Sequence, residues 1–572
     1  MSNVSSSPVL RPRTGGEILV DALVSQGAKT TYCVPGESYL AVLDALYDAH
    51  GIRNIVCRHE GAAANMADAY GKLTGEPGIC FVTRGPGATH ASVGVHTAFQ
   101  DSTPMVLFVG QVARSAVERE GFQEIDYRRM FGPMAKWVAE IESADRIPEF
   151  VVRAFSTATS GRPGPVVLAL PEDMLREVAT VADAPHYKAS QGAPLAEQMT
   201  ELGERLERSE KPLLILGGTT WTEEAREELR AFAEGNDLPV AAAFRFQSTI
   251  DHTSANYIGD VGLGINPKLA ARIREADVVV AVGPRLGEST TGGYSLFAIP
   301  KPKQSLIHVH TSAEELGRVY QADLAINSGM PQFTGGLKSI RLTKSLARAA
   351  WLHQGREDYI KHTTPGRIRG NGVDMAHVVH HLSETLPPDS IISNGAGNYT
   401  VWIHRYFRHR GFRTQLAPTS GAMGYGIPAG IAAKLEHPDR TVVAFGGDGC
   451  FMMYPQELAT AVQFGANVII IVVNNGMLGT IRFHQENNYP GRVSGTALMN
   501  PDFVALAKSF GIFGELVERT EDFAAAFDRA VKAGGPALLE LRTDPNVISP
   551  STTLTELAAK HAAAKQPAAT TS

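Results

Sequence analysis

Short apolar runs alternate with segments of helical spacing in three stretches of the chain. In the first stretch, about Thr14 to Leu175, the apolar runs include "TTYCVPG", "GICFVTRG", "PMVLFVG" and "GPVVLALP". The second, about 197–345, contains "PLLILGG", "PVAAAF", "DVVVAVG" and "SLIHVH"; the third, about 373–548, contains "TVVAFGGDG" and "NVIIIVVNN". Strands that alternate with helices indicate parallel sheets covered on both faces. The pattern predicts an α/β protein with three doubly wound parallel-sheet domains.

Polar segments separate the three stretches. "REVATVADAPHYKASQGAPLA" predicts a linker after the first, and "REDYIKHTTPGRIRGNG" leads into the third. The predicted domains span residues 1–185, 195–350 and 365–550, followed by a tail at 551–572. The tail begins with a helical pattern, and its low-complexity end predicts disorder.

Composition narrows the class of protein. A chain of 572 residues is too long to fold around a single hydrophobic core. Its net charge of −6 gives no reason to expect nucleic acid or an anionic membrane as a partner. Its four cysteines form no CxxC pair, which argues against a disulfide framework or a zinc site. We find no leader-like segment and no apolar run long enough to span a bilayer. These features predict a cytoplasmic protein.

Two oxygen-bearing side chains follow neighbouring predicted strands in the third stretch. Asp448 ends "GGD", and Asn475 ends "VVNN". A right-handed crossover makes these strands parallel, so both side chains lie at carboxyl ends, where open α/β sheets bind ligands. A carboxylate and an amide oxygen suit Mg²⁺, and adjacent glycines let backbone N–H groups approach a phosphate. A turn whose Asp448 only caps the next helix is the alternative, but the paired asparagines favour a metal–diphosphate site.

The spacing from "GDG" to "NN" resembles the diphosphate-binding signature of thiamine diphosphate enzymes. The resemblance implies that the side chains of Asp448 and Asn475, with the backbone carbonyl of Met477, hold Mg²⁺, and that this ion binds the cofactor's diphosphate.

Two upstream segments extend the resemblance. "SGAMGYGIPAGIAA" is similar to a segment of the acetolactate synthase branch, which implies that the Gly421 carbonyl and Met423 hold the aminopyrimidine. "GNYTVW" resembles the loop on the diphosphate side, although it departs from the family after its first glycine. The implied cofactor-binding residues are Gly397, Asn398, Tyr399, Gly421, Met423, Gly447, Asp448, Gly449, Cys450, Asn475, Met477 and Leu478.

The segment "RHEGAAANMADAYGKLTG" places Glu60 at the start of a predicted helix. A glutamate there is ordinarily a favourable partner of the helix dipole. However, the segment is similar to the family's "RHEQGAAHMADGYAR", whose glutamate activates the cofactor. The resemblance implies that Glu60 is catalytic and shares a proton with the pyrimidine N1′.

Further segments of the first stretch imply substrate contacts. "TRGPGATH" matches the family's "TSGPGATN", with His90 in place of the asparagine. "GFQEID" implies that Phe122 and Gln123 line the pocket, and "PMAKWV" implies that Lys136 lies near its entrance. The resemblance extends from about Gly15 to about Ser549.

Three departures set this chain apart from acetolactate synthases. "VGPRLGESTTG" keeps Arg285 but has Ser289 where the family has a second arginine, which holds a substrate carboxylate and touches FAD. His310 replaces an aspartate of the FAD region, and His484 lies near the position of a tryptophan that contacts the second substrate. Against these departures stands Arg245, where the family has small residues; it either restores a positive charge or is a solvated surface arginine. We therefore expect no tightly bound FAD, although the resemblance implies a FAD site.

The resulting hypothesis is thiamine diphosphate- and Mg²⁺-dependent decarboxylation of a 2-oxo acid, or related C–C bond cleavage or formation, by a homodimer or homotetramer. The alternatives within the family are an acetolactate synthase acting on pyruvate and a decarboxylase or oxidase acting on another 2-oxo acid or an acyl-CoA. A dinucleotide oxidoreductase or nucleotide-binding module is disfavoured because no strand–GxGxxG–helix fingerprint occurs. A scaffold that has lost catalysis is disfavoured by the joint presence of Glu60, Asp448 and Asn475.

Overall fold

A computed structural model describes residues 11–564, so the disorder predicted for the end of the tail falls outside the described residues. The chain forms two compact units, Met1–Ser190 and Gln191–Ser572, and the division lies within the predicted linker. No helix within 11–564 has both the length and the apolar character needed to cross a membrane.

The first unit contains a six-stranded parallel sheet in the order β3-β2-β4-β5-β7-β6. All the apolar runs predicted here are strands, and helices on both faces bury them. A short antiparallel pair, β1 and β8, lies outside this sheet. The elements are β1 (Arg13–Thr14), α1 (Gly15–Ser25), β2 (Thr30–Cys33), α2 (Leu40–Asp48), β3 (Arg53–Val56), α3 (Glu60–Thr74), β4 (Gly78–Val82), α4 (Gly85–Asp101), β5 (Met105–Gln111), α5 (Tyr127–Phe131), β6 (Trp137–Glu140), α6 (Ile147–Thr159), β7 (Pro165–Pro171), α7 (Glu172–Arg176) and β8 (Val178–Ala179).

The second unit begins with another six-stranded parallel sheet, in the order β11-β10-β9-β12-β13-β14. The predicted runs form four of these strands. The polar segment that begins at residue 356 starts inside a helix, because α12 continues to Thr363 and buries Tyr359. The elements are α8 (Ala196–Arg208), β9 (Pro212–Leu216), α9 (Glu223–Gly235), β10 (Val240–Ala242), β11 (Tyr257–Asp260), α10 (Pro267–Glu275), β12 (Val278–Val282), β13 (Ser305–His310), β14 (Leu324–Asn327), α11 (Met330–Leu337) and α12 (Leu346–Thr363).

The same unit holds a third six-stranded parallel sheet, in the order β16-β15-β17-β18-β20-β19. Its elements are α13 (Met375–Thr385), β15 (Ile391–Asn394), α14 (Thr400–Tyr406), β16 (Gln415–Leu416), α15 (Gly426–Glu436), β17 (Val442–Gly447), α16 (Asp448–Phe451), α17 (Glu457–Gln463), β18 (Ile469–Asn474), α18 (Gly479–Asn488), α19 (Phe503–Ser509), β19 (Phe513–Val517), α20 (Phe523–Lys532), β20 (Ala537–Arg542), β21 (Val547–Ser549), β22 (Thr552–Thr553) and α21 (Leu554–Ala564).

Single 3₁₀ turns connect several of these elements: Glu37–Tyr39, Arg114–Ala116, Gly132–Met134, Ala144–Arg146, Gln247–Thr249, Ala313–Glu315 and Thr520–Asp522.

The third sheet shows why its strands form. The run before Asn474 is buried between β17 and β20, as expected for an interior parallel strand whose two faces are covered. The crossover helix α17 buries Leu458 and Ala461, whereas Val462 is 44% exposed. Three parallel α/β sheets confirm the predicted fold class.

Candidate active site

Asp448 and Asn475 follow two adjacent parallel strands. β17 and β18 pair in register, with Gly447 opposite Val473, so both chains leave the sheet at its carboxyl edge. The backbone N–H of Gly476 then donates to Asp448 Oδ2 at 2.9 Å. This bond ties the two strand ends together, in the geometry that the crossover argument predicts.

The Asp448 carboxylate is buried, with 2% of its surface exposed. It accepts hydrogen bonds from the N–H of Gly449 at 2.8 Å and from the side-chain amide of Asn500 at 2.8 Å. Burial raises its pKa from the ordinary value, and these hydrogen bonds oppose the rise. Within residues 11–564 no basic side chain forms an ion pair with it. A buried carboxylate without a cationic partner fits a divalent cation site.

Helix capping does not account for Asp448. The N-cap of α16 is Gly447, and Asp448 is the first residue of the helix. Oδ1 accepts one N–H of the first helical turn, but Oδ2 contacts Gly476 and Asn500 outside the helix, so capping alone does not explain this side chain.

The two asparagines after β18 have different surroundings. Asn474 donates to Glu540 Oε1 at 2.8 Å and accepts from the Asn500 amide at 3.0 Å, so its side chain is held inside the structure. Asn475 lines a cavity, and its Oδ1 accepts the N–H of Met477 at 3.2 Å. The second asparagine is the one available to a ligand.

One cavity of about 240 Å³ is lined by every residue that the resemblance assigns to cofactor binding. Most other lining side chains are apolar, as in sites for organic ligands. Sequence patterns did not assign several further lining residues to the site, although Trp402 and Arg369 lie within the quoted segments: Arg369, Val373, Asp374, Met375, Trp402, Thr480, Ile481, Thr543, Asp544 and Val547.

Two glycines of the cavity wall have different surroundings. Gly421 has a left-handed φ of +70°, and the space where a Cβ would point is open. At Gly449 a Cβ would lie 2.7 Å from Leu478 Cδ2. The open position at Gly421 leaves its backbone accessible to a ligand, whereas Gly449 is required by the close packing of Leu478.

The Cys450 thiol joins three segments of the cavity wall. Its Sγ accepts the N–H of Gly424 at 3.1 Å and the hydroxyl of Tyr399 at 3.5 Å. Tyr399 also accepts the N–H of Gly395 at 3.0 Å. These contacts provide hydrogen-bond partners for the buried Tyr399 hydroxyl. They also direct that hydroxyl towards the protein and not into the cavity.

Arg245 is buried, with 6% of its surface exposed, so its interpretation as a solvated surface arginine is wrong. Its guanidinium donates to the Pro418 carbonyl, which also accepts the N–H of Gly421 at 3.0 Å. Arg245 thus supports the turn that carries Gly421 and Met423. Its backbone has a left-handed φ of +63°, which is unusual for a residue with a Cβ.

His484 does not line this cavity. It is exposed on α18, beyond the first turn of the helix, where Thr480 and Ile481 do line the cavity. His484 lies one turn beyond Thr480 and Ile481 on the same face of α18, and at that distance along the helix it is not among the residues that line the cavity marked by Asp448.

In the first unit, Glu60 is the first residue of α3 and follows the carboxyl end of β3. Its side chain is 13% exposed, and His90 Nδ1 lies 2.9 Å from its Oε2. The N-cap is His59, whose Nδ1 accepts the N–H of Gly61 at 3.0 Å. The Glu60 carboxylate therefore contacts a specific partner in addition to its position in the first helical turn.

The segment with Phe122 and Gln123 lies against the start of α4, close to this edge of the sheet. The Gln123 carbonyl accepts the N–H of Gly85 at 3.0 Å, and Arg84 donates to the Phe122 carbonyl at 3.3 Å. Phe122 is 70% exposed, so its ring is free to contact a ligand or another surface.

Lys136 lies elsewhere. It precedes β6 and so lies at the amino edge of the sheet, opposite the edge with Glu60. Its ammonium donates to the carbonyls of Thr157 and Ser160 at the end of α6. The expectation that Lys136 lies near the entrance of the site around Glu60 is therefore wrong.

A smaller cavity, about 70 Å³, is lined by Arg285 and His308 in the middle sheet region. Glu315, 5% exposed, accepts from Arg285 at 3.3 Å and from Arg318 at 2.8 Å. His308 Nε2 bonds the Pro284 carbonyl at 3.0 Å, and burial lowers its pKa. His310 Nδ1 accepts the N–H of Ser312 at 3.0 Å. The Glu315 carboxylate thus offsets part of the positive charge of Arg285 and Arg318.

Comparison with protein families identifies the class. The chain matches the N-terminal thiamine pyrophosphate (TPP) binding domain of thiamine pyrophosphate enzymes at residues 13–130, their central domain at 199–337 and their C-terminal TPP binding domain at 395–541. The chain therefore belongs to the thiamine pyrophosphate enzyme family, and the resemblance drawn from the sequence is confirmed.

Individual relatives are named as large or catalytic subunits of acetolactate synthases. The chain is 30% identical to acetolactate synthase isozyme 2 large subunit of Escherichia coli K12, over 93% of this chain and 95% of that protein. It is 32% identical to the acetolactate synthase large subunit of Parasynechococcus marenigrum WH8102, over 92% and 87%. It is 29% identical to the mitochondrial acetolactate synthase catalytic subunit of Saccharomyces cerevisiae, over 93% and 81%. The acetolactate synthase-like branch is confirmed.

Proposed function

We propose that this protein decarboxylates a 2-oxo acid with thiamine diphosphate and Mg²⁺, and either releases the remaining fragment or joins it to a second carbonyl compound. The observation that carries the proposal is the cavity at the carboxyl edge of β17 and β18. There Asp448 and Asn475 lie on one side and Gly421 and Met423 on another. This combination provides hard oxygen ligands beside an apolar compartment.

In this proposal the chain itself holds the cofactor. The side chains of Asp448 and Asn475 and the carbonyl of Met477 are the metal ligands, and Gly421 and Met423 hold the pyrimidine. When bound, thiamine diphosphate would supply a nucleophilic carbon for the carbonyl of the 2-oxo acid and a cationic thiazolium ring that accepts the electron pair left by departing CO₂. The buried surroundings of Asp448 exclude water and so strengthen its attraction for the metal ion.

Glu60 is the proposed catalytic acid–base group. Its carboxylate holds a proton at the pyrimidine N1′, which promotes deprotonation of the thiazolium carbon. The backbone of Glu60 is fixed in the first turn of α3, and its side chain is 13% exposed and so remains accessible.

A second candidate function is acetolactate formation from pyruvate. Large subunits of acetolactate synthases at about 30% identity favour it. Against it stands Ser289, since a serine cannot replace a bidentate, permanently charged partner of a carboxylate. We therefore favour a donor or acceptor other than pyruvate.

The remaining assignments follow the same proposal. Residues 1–185 form the pyrimidine-binding domain, 195–350 the central domain and 365–550 the diphosphate-binding domain. The active form is a homodimer or homotetramer in the cytoplasm, and its substrates are small carbonyl compounds.

A two-part experiment tests the proposal. Thiamine diphosphate with Mg²⁺ should raise the melting temperature of the purified protein, NAD should leave it unchanged, and Asp448→Ala should abolish the rise without unfolding the apo protein. A panel of 2-oxo acids is then assayed for CO₂ release, with products identified. Wild-type cofactor affinity in Asp448→Ala would contradict the metal assignment; stabilisation by NAD alone would contradict the class of reaction.

A further inference from the structure

The catalytic carboxylate of the proposed function has a histidine partner. His90, on α4, places Nδ1 2.9 Å from Glu60 Oε2, within hydrogen-bond distance. The family's "TSGPGATN" has an asparagine at this position, so the partner in this chain is a larger group that still carries a donor nitrogen at the same distance from its backbone.

The other carboxylate oxygen of Glu60 has different surroundings. Oε1 lies beside Gly87, where an added Cβ would come within 3.6 Å of it. Within residues 11–564 Oε1 forms no hydrogen bond, whereas Oε2 contacts His90. One oxygen is thus held by His90, and the other is not engaged by a hydrogen-bond donor of this chain.

A metal site is the main competing explanation for this cluster. His59, Glu60 and His90 offer ligand atoms within 4.8 Å of one another. However, the two imidazole rings are stacked, with centroids 4.6 Å apart and an interplanar angle of 29°. Ring-nitrogen lone pairs lie in the ring planes, so nearly parallel rings do not direct them to one nearby ion. In addition, His59 Nδ1 already accepts the N–H of Gly61.

The stacking has a second consequence. His59 is fixed as the N-cap of α3, and its ring lies against that of His90. The His90 ring is therefore held in plane by a neighbour whose own position is set by the helix start, even though the His90 side chain is 53% exposed.

We propose that His90 is a positioning residue for Glu60: its Nδ1–H donates to Oε2 and fixes the carboxyl group, leaving Oε1 as the oxygen that shares a proton with the cofactor's N1′. The inference rests on the proposed function of Glu60 and goes beyond it, because it moves His90 from a predicted substrate contact to support of the catalytic carboxylate.

Asparagine and glutamine at position 90 separate this role from a general structural one. The Asn amide nitrogen lies about as far from the backbone as His Nδ1, whereas Gln carries the same amide one methylene further. We expect His90→Asn to keep the hydrogen bond and His90→Gln to lose it. His96→Asn is the matched control, since His96 is an exposed histidine on the same helix.

Two measurements follow on the full-length protein. The first compares the affinity for thiamine diphosphate with that for an analogue whose pyrimidine lacks N1′; wild type, His90→Asn and His96→Asn should prefer thiamine diphosphate, and His90→Gln should lose most of that preference. The second is hydrogen–deuterium exchange at the thiazolium carbon without substrate, which His90→Gln should slow by about 10- to 100-fold, the range expected for a misplaced catalytic group.

The outcomes are decisive. Equal behaviour of His90→Asn and His90→Gln, whether both normal or both impaired, overturns the inference, because donor position would then be irrelevant. Apo melting temperatures check the fold, and His90→Ala replaces His90→Gln in the comparison if the latter is unstable. Glu60→Gln separates the two levels: if it exchanges at the wild-type rate, the proposed function of Glu60 is wrong; if it is slow while His90→Gln is fast, only the role of His90 is wrong.

Discussion

The side-chain amide of Asn500 donates to the Asp448 carboxylate at 2.8 Å, across 52 residues of chain. The same amide reaches Asn474 Oδ1 at 3.0 Å. Asn500 thus links the loop before α19 to both strand ends of the proposed metal site.

Removal of this support should weaken metal-dependent cofactor binding. We expect Asn500→Ala to reduce the affinity for thiamine diphosphate at fixed Mg²⁺ by about 10- to 100-fold, as is typical when a residue that orients a metal ligand is lost. Titration followed by fluorescence or calorimetry measures this. Asn467→Ala is the control, because Asn467 donates only to the Gly534 carbonyl at the far edge of the sheet. Unchanged affinity in Asn500→Ala would contradict the role.

The raised pKa of Asp448 predicts a pH dependence of apo stability. Because burial raises the folded-state pKa above the ordinary value of 3.8, the folded protein binds this proton more tightly than the unfolded chain. The resulting stabilisation is present at low pH and is lost as pH rises through the folded-state pKa.

The measurement is the difference in melting temperature between apo wild type and Asp448→Asn at several pH values, since other titrating groups cancel. Wild type should lose stability relative to the variant as pH rises from about 4. Mg²⁺ with thiamine diphosphate should reverse the trend for wild type alone. A difference that does not vary with pH would show that Asp448 does not titrate in this way.

The sequence predicts Asp448 and Asn475 well because strand direction and crossover handedness force adjacent parallel strand ends together. Those rules act over a single β–α–β unit. Asn500 escapes them, since it lies in a loop whose path is set by packing rather than by periodicity, and "MNPDF" carries no signal that points to Asp448.

Arg245 and Lys136 also show that sequence patterns do not determine the tertiary surroundings of a residue. Residue type alone leaves an arginine in "AAFRFQ" either buried or exposed, and only tertiary packing on Pro418 decides. The family resemblance places Lys136 near the entrance of the site, yet the residue precedes a strand instead of following one. In a parallel sheet that difference moves a side chain to the other edge.

Two separate substitutions of Arg245 by a small residue should distinguish the effect of its backbone strain from that of its hydrogen bond to the Pro418 carbonyl. Arg245→Ala and Arg245→Gly both lose the bond to the Pro418 carbonyl and should bind thiamine diphosphate more weakly. Because φ is +63°, glycine avoids a cost of about 1 kcal/mol that alanine retains. Thermal unfolding of the apo proteins should therefore give a higher melting temperature for the glycine variant. The reverse order would argue against a left-handed backbone at this position.

Assembly is tested by complementation between inactive variants. The family resemblance implies that Glu60 of one subunit acts on cofactor held by the diphosphate-binding domain of a second subunit. Co-expressed Glu60→Gln and Asp448→Ala chains should then form heterodimers with one intact site, although each homodimer is inactive. Product formation by the isolated heterodimer measures this, and an active monomer at high dilution would contradict the proposal. Heterodimers of wild type with the double variant, which have no intact site, are the negative control.

The last prediction concerns flavin and acetolactate. Arg285 remains in the central region, but Glu315 lies between it and Arg318, with contacts of 3.3 Å and 2.8 Å, and is 5% exposed. The buried Glu315 carboxylate thus offsets part of the positive charge of Arg285 and Arg318, which would otherwise attract a flavin diphosphate or a substrate carboxylate. Ser289 adds no charge, and His308 is kept neutral by burial, which lowers its pKa. We therefore expect the purified protein to lack the visible absorbance band of bound flavin. We also expect it to form little acetolactate from pyruvate and to prefer another donor or acceptor.

Ser289→Arg should increase acetolactate formation relative to Ser289→Gln, which adds length without charge. A yellow preparation with stoichiometric FAD and rapid acetolactate formation would contradict the prediction and favour the second candidate function.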